Sequence, residues 1–166
     1  MRMDVSVPAD LHPFVAGVAA SLDFGFTRMK AAIADLTPEQ LAKKPEAFHN
    51  AIATLVFHVA GSEISFAHRI IGAEVPADLK AEYMLDVPHA QGLPAPASAT
   101  AESLTAQLTK AHQLLLANLA RVTEADLARE IPFGPDRQVT LRWMLALLPN
   151  HAAQHMGHIQ LIKQHL

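Results

Sequence analysis

The most apolar run of this chain is Ala51-Ile52-Ala53-Thr54-Leu55-Val56-Phe57-His58-Val59-Ala60, and one imidazole interrupts it. Beyond the run, apolar residues continue at every third or fourth position, as Phe66 and Ile70 show. This is the spacing of residues that share one face of a helix. Gly72 is a natural stop, since glycine readily adopts the left-handed conformation that follows many helices. We therefore predict a long helix from about Asn50 to Ile71.

The same periodicity predicts long helices on both sides of this one. The first runs from Leu11 to Leu36, with Asp10 as its expected N-cap. A short helix begins at Thr37, which is followed by Pro at the first helical position and by Gln three residues on. After the central helix, leucines at helical spacing predict a third long helix from about Thr100 to Val122.

The fourth long helix is predicted from Leu141 to about His165, with Thr140 as its N-cap. Pro149 lies inside it and removes one backbone donor, so we expect a kink there. Trp143, near the start of this helix, is expected in the core. The segment Ile131–Pro135, just before it, contains two prolines and a glycine and is predicted to be extended.

A long connection separates the second and third long helices. It runs from Ala73 to Ser98, contains four prolines and is expected to hold one helical turn near Ala77–Met84. Helices alone must bury their apolar stripes against one another. We therefore predict one all-α domain over residues 1–166, a four-helix bundle with a long crossover between helices two and three. A connection of that length is uncommon without a function, so it is also expected to cover a site.

Composition and charge exclude several classes of function. The chain is 51% apolar and 17% charged, and its net charge is −3. No cluster of Lys and Arg offers a footprint for phosphate backbones, so we expect no nucleic-acid partner. No apolar stretch is long enough to cross a membrane. There is no cysteine, and the first residues lack the apolar segment of a signal peptide. We expect a soluble, cytoplasmic protein.

Two histidines of the fourth helix have the spacing of a metal site. His151 and His155 are four residues apart, so on a helix their side chains lie one above the other. Two imidazoles placed this way can bind one ion, or they can be ordinary histidines of a chain that has ten. His158 and His165 continue the same face as further candidates. Ala152 follows His151 where a metalloprotease helix has its catalytic Glu, which excludes that class.

A third ligand must come from another helix. His58 is the leading candidate because it interrupts a run that should be buried. A lone buried histidine is more often a hydrogen-bonded core residue, but a histidine pair elsewhere in the bundle gives His58 a reason for its position. Glu63, five residues on, either orients a ligand from outside the metal's own shell or is an ordinary solvated carboxylate.

The segment Ala53–Glu63 resembles the second helix of the DinB-like superfamily of bacterial four-helix bundles. There a His is followed by an apolar residue, Ala, Gly or Asp, any residue, and then Glu. The ending Arg69-Ile70-Ile71-Gly72 is similar to the Arg and Leu-Gly that follow in that family. In the last helix the family has a His-x-x-x-His pair followed by Arg-Gly-Gln. Here the pair is followed by Met156-Gly157-His158, which keeps only the Gly.

This resemblance implies a divalent metal ion, either zinc, nickel or iron, bound by His58, His151 and His155, with Glu63 as an outer partner. It also implies a metal-dependent hydrolase or a transferase that uses a low-molecular-weight thiol, acting on a small-molecule substrate as a homodimer. Two other functions stay open. The chain is a non-enzymatic, stress-associated metal-binding dimer, or it is a structural helical module without metal.

Overall fold

The computed structural model describes residues 10–88, 92–96, 98–134 and 136–166. Four long helices dominate: α1 (Pro13–Ile33), α3 (Ile52–Ile70), α5 (Ala101–Leu119) and α7 (Leu141–Lys163). Between them lie the short helices α2 (Pro38–Ala42), α4 (Ala77–Glu82) and α6 (Glu124–Leu127), and the strands β1 (Glu130–Pro132) and β2 (Gln138–Thr140). The predicted four-helix bundle with a long crossover is confirmed. Residues 1–9, from which we judged the signal peptide absent, lie outside the described part.

The helix starts follow the local sequence, with one correction. Thr37 accepts a hydrogen bond from the Gln40 backbone and Thr140 accepts one from the Trp143 backbone, as predicted. Asp10 is not the N-cap of α1. His12 takes that position, and its Nδ1 accepts a hydrogen bond from the Phe14 backbone N–H. Proline directly after His12 explains the start, because its fixed φ suits the first helical position.

The order of the helices around the bundle positions the site. Helix α3 packs mainly against α5 and α7, and α1 packs mainly against α7 and α5. Consecutive helices α1 and α3 therefore lie across the diagonal of the bundle, as do α5 and α7. This arrangement makes α3 and α7 direct neighbours although the crossover, α5 and the β1–β2 hairpin separate them in sequence.

The apolar stripes of the four helices meet in two clusters stacked along the bundle. One cluster contains most of the buried face of α3 and the C-terminal part of α7, where Met156, Ile159 and Ile162 are buried. The other contains the N-terminal parts of α1 and α7 with the C-terminal part of α5. Burial of this kind contributes about 25 cal/mol per Å² of apolar surface, so the two clusters are the main source of stability.

The crossover and the hairpin close over one side of α3. Helix α4 confirms the helical turn predicted there, and Leu85 comes so near α3 that a Cβ on Gly61 would lie 3.1 Å from its Cδ2. β1 and β2 pair antiparallel, with Ile131 opposite Val139. The extended prediction for Ile131–Pro135 is confirmed at β1, whereas Pro135 lies outside the described residues. The hairpin itself was not predicted.

The side chain of Trp143 lies at the surface of the bundle. Trp143 is 46% exposed, so the prediction that it lies in the core is wrong. Its ring contacts Phe133 edge to face, with centroids 5.2 Å apart, so the hairpin covers it only in part.

Within the described residues, no helix has the length and apolar content needed to span a membrane.

Two leucines of α7 test this assignment of buried and exposed faces. Leu145→Ala removes a fully buried side chain and should lower the free energy of unfolding by about 2–5 kcal/mol, because a cavity replaces the lost contacts. Leu161→Ala makes the same change at a side chain that is 48% exposed, and should cost about 0.5 kcal/mol or less. Urea unfolding followed by far-UV circular dichroism measures both. Equal losses would contradict the assignment.

Candidate metal centre

Three imidazoles from two helices meet between α3 and α7. His58 comes from the middle of α3, and α7 presents His151 and His155 one turn apart. All three side chains are half-buried. His58 Nε2 lies 3.2 Å from His151 Nε2, and His155 Nε2 lies 3.1 Å from that same nitrogen. The structure therefore brings together the three residues that the sequence singled out.

These distances suit a metal ion. Three nitrogens held about 2.0–2.1 Å from zinc at tetrahedral angles are about 3.3 Å apart. The separations of His58 Nε2 and His155 Nε2 from His151 Nε2 are 3.2 and 3.1 Å, and one nitrogen from each of the three residues falls within a 4.8 Å group. The rings meet edge to face, at interplanar angles of 64° to 78°. They converge through their nitrogens rather than stacking. The cluster could hold one ion.

Hydrogen bonding among the three nitrogens is a weaker explanation for their convergence. A ring nitrogen carries either one N–H or one lone pair. The Nε2 of His151 therefore cannot form good hydrogen bonds with both His58 and His155 at once. In addition, Nδ1 of His155 is buried without a hydrogen-bond partner among the described residues. One cation between the three Nε2 atoms would use the lone pair of each.

Electrostatics keep two of the imidazoles in the state that binds metal. Burial lowers the pKa of His151 below its ordinary value. Burial, with added repulsion from His151 and His158, lowers the pKa of His155 to about 4. Both rings are therefore neutral near pH 7, and a neutral imidazole is the form that ligates.

The other two histidine candidates are outside the group of described residues that could hold an ion. His158 is exposed, and its ring centroid is 5.9 Å from that of His155. It faces a separate surface depression beside Phe48 and His49. His165 is also exposed, and its Nδ1 lies 2.9 Å from the Leu161 carbonyl oxygen. Within the described residues, the group able to hold an ion consists of His58, His151 and His155.

Glu63 is a buried carboxylate, which corrects one of its two predicted surroundings. It is only 6% exposed, so it is not a solvated carboxylate. Its Oε1 lies 3.4 Å from Nδ1 of His112, a residue of α5 that is 3% exposed. Burial raises the pKa of the Glu63 carboxyl, and the His112 imidazole partly opposes that rise. On the other side, His112 Nε2 lies 3.6 Å from a carboxylate oxygen of Asp23. Glu63 thus pairs with α5; its predicted role near the triad stays a prediction.

A cleft of about 420 Å³ begins at His58. One wall is the face of α3 that carries Ser62, Ser65 and Arg69, and the crossover and the β1–β2 hairpin form the other. Its volume is in the range of small-molecule sites. The cluster of imidazoles therefore has an adjacent space in which a substrate of modest size fits.

Sequence reasoning missed most of this cleft, although part of the signal is present. Ser62, Ser65 and Arg69 follow His58 at four, seven and eleven residues, the spacing of a single helix face. Buried His112 was also missed. No periodic pattern could assign Met84 or Phe133 to the cleft, since both lie in connections whose path depends on the rest of the fold.

The fold and the site together define a class: four-helix bundles whose second and fourth long helices present converging imidazoles. The family model of the DinB superfamily matches residues 21–159, and the chain belongs to that superfamily. The resemblance noted in the sequence is confirmed. No protein of curated function matches this sequence.

Several solved structures share the fold. A DinB-like protein of Bacillus cereus ATCC 10987 is 19% identical, with a TM-score of 0.67 and 90% of each chain covered. YfiT of Bacillus subtilis, described as a probable metal-dependent hydrolase with an unusual four-helix bundle topology, is 20% identical, with a TM-score of 0.68, over 99% of this chain and 93% of its own. A mycothiol-dependent maleylpyruvate isomerase is 12% identical, with a TM-score of 0.62, over 86% of this chain and 59% of its own.

The lowered pKa values predict how the metal-free protein responds to acid. In the unfolded chain a histidine takes up its proton near pH 6.5, whereas folded His155 does so only near pH 4. Between these values the unfolded state binds more protons, so stability should fall as pH decreases from about 6.5 to about 4. Urea unfolding at pH 7, 6, 5 and 4, with a chelator present, measures this loss.

A pair of variants isolates the contribution of His155. His155→Asn should make the pH profile shallower, because the neutral amide does not titrate. His165→Asn removes an exposed histidine and should leave the parent profile unchanged. Identical profiles for the parent and His155→Asn would contradict the assignment.

Proposed function

We propose that His58, His151 and His155 bind one divalent metal ion and that the protein is a metal-dependent enzyme. The observation that carries this proposal is the convergence of three half-buried Nε2 atoms from α3 and α7. The ion is zinc, nickel or iron, since imidazole suits all three. The reaction is hydrolysis or the transfer of a low-molecular-weight thiol to an electrophile.

Three protein ligands support a catalytic rather than a structural site. Structural zinc sites are closed by four protein ligands, whereas catalytic sites keep a position for water or substrate. His158 is exposed and outside the group of three, so the part of the chain that the structure describes supplies no fourth imidazole to this group. A bound divalent ion lowers the pKa of water towards about 7 or stabilises a thiolate. The imidazoles hold the ion in place, and the cleft beside His58 admits the second reactant.

The related structures support the two reaction classes separately. YfiT is described as a probable metal-dependent hydrolase, and the maleylpyruvate isomerase is mycothiol-dependent. Both share the fold at low identity, so neither supplies a substrate for this chain. A panel of esters, amides and thiols with electrophiles is the direct way to separate hydrolysis from thiol transfer.

A second candidate is a non-enzymatic, stress-associated metal-binding homodimer acting in the cytoplasm. It is favoured by exposed apolar side chains on the bundle surface, such as Phe24 at 47% and Leu161 at 48%. A metal-loaded protein that sediments as a dimer and turns over no member of the panel would support this candidate over an enzyme.

Metal titration tests the ligand set. Zinc added to metal-free protein should bind one ion per chain, measured by isothermal titration calorimetry. His58→Ala, His151→Ala and His155→Ala each remove a ligand and should abolish tight binding. His158→Ala should weaken binding by about tenfold at most, the low end of the roughly 10–100-fold cost of changing a residue that surrounds a ligand set. His165→Ala is the control for loss of an exposed histidine, with unchanged affinity.

The same titration contains the results that contradict the proposal. A stoichiometry near zero, or binding unaffected by His155→Ala, would reject the metal centre. Equal losses for His158→Ala and His155→Ala would point to a fourth ligand. That result would replace the open site with a closed one and favour storage or a structural role over catalysis.

Chelation tests whether the ion or the apolar clusters hold the bundle together. Chelator should lower the melting temperature, because an ion that binds only the folded state stabilises it by mass action. Far-UV circular dichroism at room temperature should stay unchanged, since the two clusters are buried without the ion. Loss of helicity on chelation would show a structural metal site and count against the catalytic one.

A further inference from the structure

One face of α3 continues the site away from the three imidazoles. From His58 it runs through Ser62 and Ser65 to Arg69, and all four line the same cleft. With a rise of 1.5 Å per residue, the first and last of these lie about 16 Å apart along the helix. The cleft therefore extends along α3 from an imidazole at one end to a guanidinium at the other.

The guanidinium of Arg69 supplies positive charge at the end of the cleft away from His58. Two exposed cations elsewhere in the bundle have carboxylate partners: Lys110 Nζ lies 2.6 Å from a Glu82 oxygen, and Arg142 Nη2 lies 2.9 Å from a Glu124 oxygen. Among the described residues, Arg69 makes no ion pair. Its guanidinium carbon lies 6.0 Å from the centre of the Phe66 ring instead. The described residues that line the cleft include no Asp or Glu, so the cleft has a net positive end.

Ser62 and Ser65, between the two ends of the cleft, each carry a hydroxyl group that can donate a hydrogen bond. Hydroxyls on helices often bond the carbonyl one turn back, as Ser21 does to Gly17 at 2.9 Å and Thr109 does to Thr105 at 2.7 Å. In the described part of the chain, Ser62 and Ser65 form no such bond. Their hydroxyls can therefore donate hydrogen bonds to a ligand that lies along α3.

The opposite wall is apolar and already shaped. Met84, Leu85 and Phe133 line it. The backbone of Met84 has a φ of 50°, a left-handed conformation that costs a non-glycine residue on the order of 1–2 kcal/mol. Such strain persists only where the surrounding structure imposes it. The crossover thus holds an apolar surface opposite the polar face of α3.

From these observations we infer that the cleft binds a small, elongated organic anion. Its carboxylate or phosphate pairs with Arg69, Ser62 and Ser65 donate hydrogen bonds along its length, and its apolar body packs against Met84 and Phe133. Guanidinium groups match carboxylate and phosphate oxygens in pairs. The inference rests on the proposed function only for orientation, which places the reactive end of the ligand at His58.

The test compares a matched acid and amide on metal-free protein. The probes are 4-phenylbutyrate and 4-phenylbutyramide, which differ in charge and hardly in shape, and 4-phenylbutyl phosphate separates a phosphate preference from a carboxylate preference. Calorimetry should show at least one acid binding about fivefold tighter than the amide at low salt. Because the pair is partly exposed, 0.5 M salt should reduce that preference. Backbone resonances of Ser65 and Gly134 should shift on titration.

Two arginine variants complete the test. Arg69→Gln should remove the preference for the acid and leave binding of the amide unchanged, whereas Arg69→Lys should keep part of it. Arg28→Gln is the matched control: Arg28 is also exposed on a helix, lies 5.6 Å from the centre of the Phe24 ring and faces a different groove. It should keep the full preference. Far-UV circular dichroism confirms that each variant is folded.

The outcomes separate this inference from the metal centre. Equal affinity for both acids and the amide in the parent protein, or the same loss in Arg28→Gln as in Arg69→Gln, would overturn the anion site. A protein that binds no zinc but keeps the Arg69-dependent preference would reject the metal centre and retain the anion site. Zinc binding without any preference for the acids would retain the metal centre and reject the anion site.

Discussion

Helix α3 lies between α5 and α7, and this packing is the constraint on which the rest of the structure depends. If consecutive long helices were neighbours throughout, α3 would face α1 and α5, and His58 would lie away from α7. The diagonal placement of α1 and α3 instead brings together imidazoles that are 93 residues apart in sequence. It also leaves one side of α3 for the crossover and the hairpin to cover.

The imidazole cluster and the Glu63–His112 pair lie near the level where the two apolar clusters meet. On α7, Leu148 belongs to one cluster and Met156 to the other. His151 and His155 lie between these two residues. On α5, His112 lies between Ala111 in the first cluster and Leu115 in the second. Apolar packing on both sides keeps these helices fixed, so the imidazoles are held in position at the cost of partial desolvation.

The buried pair of Glu63 and His112 lies in a different helix interface from the imidazole cluster. Its members come from α3 and α5, whereas the imidazole cluster comes from α3 and α7. Burial raises the pKa of the Glu63 carboxyl. The partner of that carboxyl is the His112 imidazole. Its contacts link two helices, whereas the histidine cluster is the group of described residues that could hold an ion.

Much of this protein was determined by the sequence alone: the long helices, the cap at Thr140, and the metal-site spacing of His151 and His155. Each depends on the backbone within a few residues, which periodicity and capping chemistry describe well. Tertiary structure decided which faces are covered. It buried Glu63 and His112, exposed Trp143 and placed Met84 opposite α3. A helix face is buried only where another element packs on it, and periodicity does not predict which element that is.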